Sequence, residues 1–126
     1  MRLAPPRFFG YEPARQGSLE FPIAEPEKAI VDAFYLPDLC GGVEITAAAT
    51  GEALASLDLE RLEAYALRMG VHSLCSRLGH VLETLGAETR SLRRCAATSL
   101  VRLDPHGPRR GRIIARWHVI DNRGGA

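Results

Sequence analysis

Apolar and polar positions along this chain follow a helical rhythm in the middle and a strand-like rhythm at either side. From Pro26 to Leu36, Ala29, Ile30, Ala33 and Phe34 recur at i, i+1, i+4 and i+5 and form one apolar stripe. Pro26 suits the first helical position, where its missing N–H would have no partner. Glu25 and Glu27 flank that start and complement the positive end of the helix dipole. Lys28 and Asp32 sit four apart on the expected polar flank, where they can pair weakly. Pro37 stops the helix, and Cys40-Gly41-Gly42 reads as a loop.

Three more helices follow by the same reasoning. Glu44 to Ser56 is alanine-rich and reads as helix, although Thr46, Thr50 and Gly51 weaken it. Asp58 is a good N-cap for a helix whose apolar residues are Leu59, Leu62, Ala66 and Met69, with Gly70 as its stop. Leu74, Leu78, Val81, Leu82 and Leu85 mark the next helix, closed by Gly86. The short link between these last two predicts antiparallel packing.

Strand signals occupy both flanks. Residues 1–6 read as a loose leader; Arg7–Glu12 and Ser18–Ala24 read as strands joined by a turn-rich connection. Ser99–Leu103 is strand-like, and residues 104–108 form a turn cluster. Ile113, Ala115, Trp117 and Val119 then alternate with Ile114, Arg116, His118 and Ile120. That predicts a second hairpin with Arg109, Arg110 and Arg112 near its turn. The expected fold is one α+β domain over residues 1–126. Its small mixed sheet joins the N-terminal strands to the C-terminal hairpin and packs on about four helices.

Composition narrows the class. A chain of 126 residues, 46% apolar and 25% charged, suits a soluble single domain with a modest core. No apolar run approaches the ~20 residues that cross a bilayer. The first residues lack a secretory apolar segment, so a cytoplasmic location is expected. Cys40, Cys75 and Cys95 form no Cys-x-x-Cys, which argues against a disulfide framework and a zinc ribbon. The net charge of +1 hides an asymmetry: residues 1–89 carry 7 basic and 13 acidic side chains, residues 90–126 carry 9 and 2. A basic segment on an acidic body suggests internal pairing or a patch that faces an anionic partner.

Candidate chemistry is sparse. His72, Cys75 and His80 are the best metal-like set, but His80 lies eight residues from His72 and a fourth ligand is not evident. No metal or other cofactor is expected. Gly-x-Ser-x-Gly, Ser-x-x-Lys and phosphate-loop patterns are missing, and Glu60 and Glu63 read as a solvated helix flank. Catalysis is therefore not expected. Arg93, Arg94, Arg109, Arg110, Arg112 and Arg116 are the candidate contact residues, because arginine pairs bidentately with phosphate and carboxylate. They fit a patch for DNA phosphate or an acidic protein, and equally a solvated hairpin tip paired with the acidic helices. Trp117 reads as core on the apolar face of its strand.

Several segments, in order, resemble a known family. They are Arg7-Phe8-Phe9-Gly10-Tyr11-Glu12, then Pro26-Glu27-Lys28-Ala29-Ile30 with Asp32, then residues 57–62, Arg77-Leu78-Gly79 and Arg116-Trp117. Their order and spacing over residues 7–122 resemble the C-terminal domain of AbiEi-type antitoxins of type IV toxin–antitoxin systems. The resemblance implies a bacterial phage-defence protein that counters a nucleotidyltransferase-like toxin without a stable complex and represses its own promoter. It also implies mainly structural roles for Phe9, Gly10, Tyr11, Pro26, Glu27, Lys28 and Asp32. In that family a winged helix-turn-helix precedes this domain and reads the operator. No such pattern precedes Phe8 here, so sequence-specific DNA recognition by this chain alone is not expected. Arginine contacts to phosphate position a protein without specifying sequence. The alternative expectation is an interaction module whose basic hairpin docks a protein, with no DNA or antitoxin role.

Overall fold

A computed structural model describes residues 8–37 and 41–123. The predicted leader, Arg7 and Cys40 lie outside the described residues, as does the side chain of Phe21. The fold is α+β, with four α-helices and two small sheets among the described residues. None of these helices is long and apolar enough to cross a membrane.

Strands β1 (Tyr11–Gln16) and β2 (Leu19–Ala24) form an antiparallel hairpin, with Tyr11 opposite Ala24 and Gln16 opposite Leu19. Gly17 supplies the positive φ, +64°, that its tight turn requires. This hairpin does not join the C-terminal strands in one sheet, as the sequence pattern suggested. It stays a separate two-stranded sheet, tied to the helices through its ends. Glu25 N–H donates to the Gly10 carbonyl, and Tyr11 Oη donates to Asp32.

Helix α1 (Pro26–Tyr35) departs most from its predicted amphipathicity. It buries Glu27, Lys28 and Asp32 together with Ile30, Val31 and Phe34, whereas Ala29 is exposed. Neighbours surround it: the hairpin on one side, α2 (Val43–Ala53), α3 (Leu59–Met69) and α4 (His72–Thr84) on the others. A helix enclosed in this way buries polar residues as well, provided each finds a partner.

The ends of α3 follow the sequence closely. The Asp58 carboxylate accepts the Arg61 N–H at 3.1 Å, and Gly70 closes the helix in the left-handed region. Helix α3 packs chiefly on α1 rather than along α4, its predicted partner. A short 3-10 turn, Leu92–Cys95, then packs on α4.

The C-terminal region is rearranged relative to the expected hairpin. Strands β3 (Val101–Arg102), β4 (Arg112–Ile114) and β5 (Val119–Asp121) order as β3-β5-β4. β3 runs parallel to β5, with Val101 opposite Val119, and β4 runs antiparallel to β5. The 104–108 cluster therefore belongs to a connection from β3 to β4, and the hairpin turn is Ala115–His118.

Trp117 explains the break in the alternation. Its indole is fully buried against Gly79 of α4, where a Cβ would sit 2.2 Å from the ring. Reaching that slot takes the chain out of extended geometry, and His118 adopts φ +55°. Val31, Phe34, Leu62, Leu74, Leu78, Leu82, Leu92, Leu103 and Trp117 form the dry centre of the core. Full burial of such an aliphatic side chain contributes about 1.5–3 kcal/mol.

Candidate functional site

The C-terminal sheet and α4 together frame a pocket lined by three arginines. Arg77 lies on α4, Arg102 on β3 and Arg109 in the connection that follows. The parallel ladder places Arg102 opposite Ile120, which closes one wall. The cavity measures about 370 Å³, and no carboxylate belongs to its lining.

Backbone carbonyls orient two of these side chains. Arg77 Nε donates to the Arg102 carbonyl at 2.8 Å, and Arg102 Nη1 donates to the Gly107 carbonyl at 2.9 Å. A guanidinium carries five N–H donors, so each retains several for another partner. Among the described residues no ion pair holds Arg77, Arg102 or Arg109. Burial holds the Arg77 guanidinium below its ordinary pKa, and the neighbouring Arg102 charge adds to that; the Asp104 carboxylate opposes it. Three arginines against one nearby carboxylate, Asp104, leave a net positive charge in a partly buried site, which favours a bound anion.

Asn122 sets the shape of the connection that carries Arg109. Its amide donates to the Asp104 carbonyl at 3.0 Å and to the Pro108 carbonyl at 2.8 Å, and its oxygen accepts the Asp104 N–H at 2.9 Å. Gly107 lets this amide approach, since a Cβ there would lie 2.8 Å from Nδ2.

The predicted contact arginines divide among different places. Arg93 and Arg116 flank Trp117, with guanidinium carbons 6.0 and 5.8 Å from the ring centroid. Arg116 also pairs with Glu83 at 3.0 Å, and Glu83 accepts the Trp117 indole N–H as well. Arg109 enters the pocket. Arg94, Arg110 and Arg112 are exposed, but none of them lines that pocket. Arg77 and Arg102 were not among the sequence candidates. Their only local signal is an arginine set inside an apolar helical or strand segment.

Of the residues that the resemblance singles out, Phe9, Gly10, Tyr11, Lys28 and Asp32 meet around one buried ion pair. Lys28, fully buried, pairs with Asp32, and its ammonium lies 4.5 Å from the Phe9 ring centroid and 5.5 Å from that of Tyr11. Lys28 and Asp32 thus form a buried pair, not the weak surface pair that their spacing suggested. Gly10 is required beneath Lys28: at φ +72° an added Cβ would lie 2.8 Å from the Lys28 Cβ. Burial pushes the Tyr11 hydroxyl up to about 12, with the Asp32 hydrogen bond and charge adding to it. Glu27 accepts the Asp58 N–H at 2.9 Å, and Pro26 stands exposed at the helix start. Glu25 accepts from Arg61 at 2.9 Å and from Tyr65 at 2.7 Å.

One further polar site corrects the sequence reading. Glu63 is buried, not on a solvated flank: its Oε1 accepts the N–H groups of Arg90, Ser91 and Leu92 at 2.9, 2.9 and 3.2 Å. The metal-like set is split among separate partners. His72 is exposed and its Nδ1 meets the Cys95 carbonyl at 2.7 Å, whereas His80 is buried and meets Asp121 at 2.8 Å. Cys75 is buried too, and burial raises its thiol pKa, with the Cys95 thiol contributing. Among the described residues no group of three His, Cys, Asp or Glu could hold a metal ion. The Arg123 hydrogen bond holds the Asp121 carboxyl well below the usual carboxylate range; burial opposes this and His80 supports it.

Family models, curated proteins and solved structures yield no match to this chain. The arginines fall in two clusters, one flanking an indole and one lining a pocket.

Proposed function

We propose that this chain is a non-catalytic regulatory domain of the AbiEi antitoxin type, which acts through the basic surface that α4 forms with the C-terminal sheet. In this reading it counters a nucleotidyltransferase-like toxin and supports repression of its own promoter in a bacterial phage-defence system. Its DNA contact is to phosphate and is sequence-independent, with operator reading left to a winged-helix partner domain. The observation that carries the reading is the Arg77–Arg102–Arg109 pocket, a concentration of positive charge without a lining carboxylate. Three carboxylates of the helical body are engaged elsewhere: Glu25 and Glu27 hold Arg61 and Asp58, and Glu63 holds residues 90–92. They leave the pocket arginines to an outside partner. The resemblance of Phe9–Tyr11 and Pro26–Asp32 to the family motif supports the choice of family.

Co-expression with a nucleotidyltransferase toxin from the same operon tests the reading. Growth rescued by the intact chain, and lost when Arg77, Arg102 and Arg109 become alanine, supports it. A folded chain that gives no rescue removes antitoxicity from this domain.

One observation favours the second reading, a module that docks an acidic protein. Ile113 is 61% exposed on edge strand β4, beside Arg112. An apolar side chain among arginines on an open strand suits a protein surface better than a sugar–phosphate backbone. Salt separates the two, because phosphate binding weakens steeply with salt through counterion release.

A further inference from the structure

The arginine pocket has a property that a purely electrostatic surface does not need: its remaining walls are apolar. Leu100, Val101, Pro105 and Ile120 complete the lining, and Leu100 is 48% exposed at it. A phosphate contact of the kind proposed above uses the arginines and makes no use of this apolar surface. A small molecule with a charged end and a flat apolar body would cover both. At about 370 Å³ the cavity is within the range of small-molecule pockets.

The charge count bears on the anion. A phosphate monoester carries ~1.5–2 negative charges near neutral pH and three acceptor oxygens. A backbone diester carries one charge and has two free oxygens. Three guanidiniums, with Asp104 outside the lining offsetting one charge, leave about two positive charges, which match the monoester. Two of the three are already oriented: Arg77 through the Arg102 carbonyl and Arg102 through the Gly107 carbonyl. Little ordering then remains for binding to supply. Asn122 fixes the loop that carries Arg109, the third lining arginine.

We propose that the pocket bounded by Arg77, Arg102 and Arg109 binds the phosphate monoester of a small molecule whose flat apolar body rests on Leu100, Val101 and Ile120, the chemistry of a nucleoside 5′-monophosphate. The site does not depend on antitoxin activity, and its test involves no toxin. Titration calorimetry on the full chain at low salt compares adenosine 5′-monophosphate, its phosphate methyl ester, adenosine and inorganic phosphate. The monophosphate binds, the methyl ester binds more weakly, adenosine gives no measurable heat, and inorganic phosphate binds more weakly than the nucleotide.

Arg109→Ala removes an exposed side chain and leaves the far-ultraviolet circular dichroism unchanged. It weakens nucleotide binding about tenfold or more, as expected for a charged hydrogen bond. Arg102→Ala serves as a second variant with the same expectation. A 5′-phosphorylated trinucleotide and its 5′-hydroxyl counterpart identify the source. Tighter binding of the phosphorylated strand than of the free nucleotide supports the monoester site and places its ligand at a nucleic-acid end. Equal binding of adenosine and its monophosphate overturns the proposal. So does unchanged affinity in both arginine variants, or the absence of binding by both the nucleotide and inorganic phosphate. Inorganic phosphate that binds as tightly as the nucleotide overturns the role of the apolar wall.

Discussion

Replacing Glu63 by alanine would remove the one carboxylate oxygen that holds the 90–92 segment. Glu63 is 6% exposed and accepts three backbone N–H groups, with the Ser91 hydroxyl as a fourth contact at 3.3 Å. Each buried donor left without an acceptor costs about 1–3 kcal/mol. Arg90 is exposed and its N–H regains water, so two donors carry most of the loss, about 3–5 kcal/mol with the smaller packing term. Unfolding entropy for a chain of this length makes 1 kcal/mol worth roughly 4 °C, so the melting temperature falls by about 12–20 °C.

Glu63→Gln keeps an acceptor oxygen of the same shape and loses the charge. Charge-assisted hydrogen bonds are roughly twice as strong as neutral ones, so this variant loses about half as much. Thermal unfolding followed by circular dichroism gives both numbers, and amide exchange at Ser91 and Leu92 locates the effect. A Glu63→Ala protein within about 1 kcal/mol of the parent, with both amides still protected, would refute the reasoning. The same variant should loosen Arg93 and Arg94, which follow directly in the 3-10 turn.

Gly79→Ala drives a methyl into the Trp117 ring, expels it from its slot and costs about 2–3 kcal/mol; a red shift of the sole tryptophan's fluorescence reports it, and an unchanged spectrum would sink the packing argument. Lys28→Met leaves Asp32 buried without its cation and destabilises by about 3–5 kcal/mol. The double change Lys28→Met with Asp32→Leu recovers most of that, and equal losses in urea melts would contradict the pairing. The depressed Asp121 carboxyl stabilises the fold above its ordinary value of 3.8, and that contribution is lost as pH falls towards its folded value. Arg123→Ala raises the Asp121 pKa and moves acid unfolding to higher pH; a carboxyl carbon titration that does not shift in the variant would exclude the pair.

Local signals carried much of the helical layer. Pro26, Asp58, Gly70 and Gly86 mark helix ends because capping and proline geometry act over a few residues. Polar residues with distant partners were misread. Lys28, Asp32 and Glu63 sit at spacings that look solvated, and only the hairpin aromatics and residues 90–92 make their burial tolerable. Strand pairing was equally opaque: alternation over 113–120 predicted one long strand, and Gly79, 38 residues from Trp117, decides otherwise. The pocket was half legible. Arg109 stood out in a basic run, whereas Arg77 and Arg102 were hidden in segments whose apolar rhythm described the core.

The parallel pairing of β3 with β5 has a consequence for timing. Arg77 belongs to a helix that folds on local contacts, but its pocket has no far wall until Ile120 is made and no shaped loop until Asn122 is in place. Synthesis at about 5–20 residues per second puts roughly 2–9 s between the first arginine and the asparagine. During that interval a nascent chain has no finished pocket, so ligand or partner capture is a property of the completed sheet.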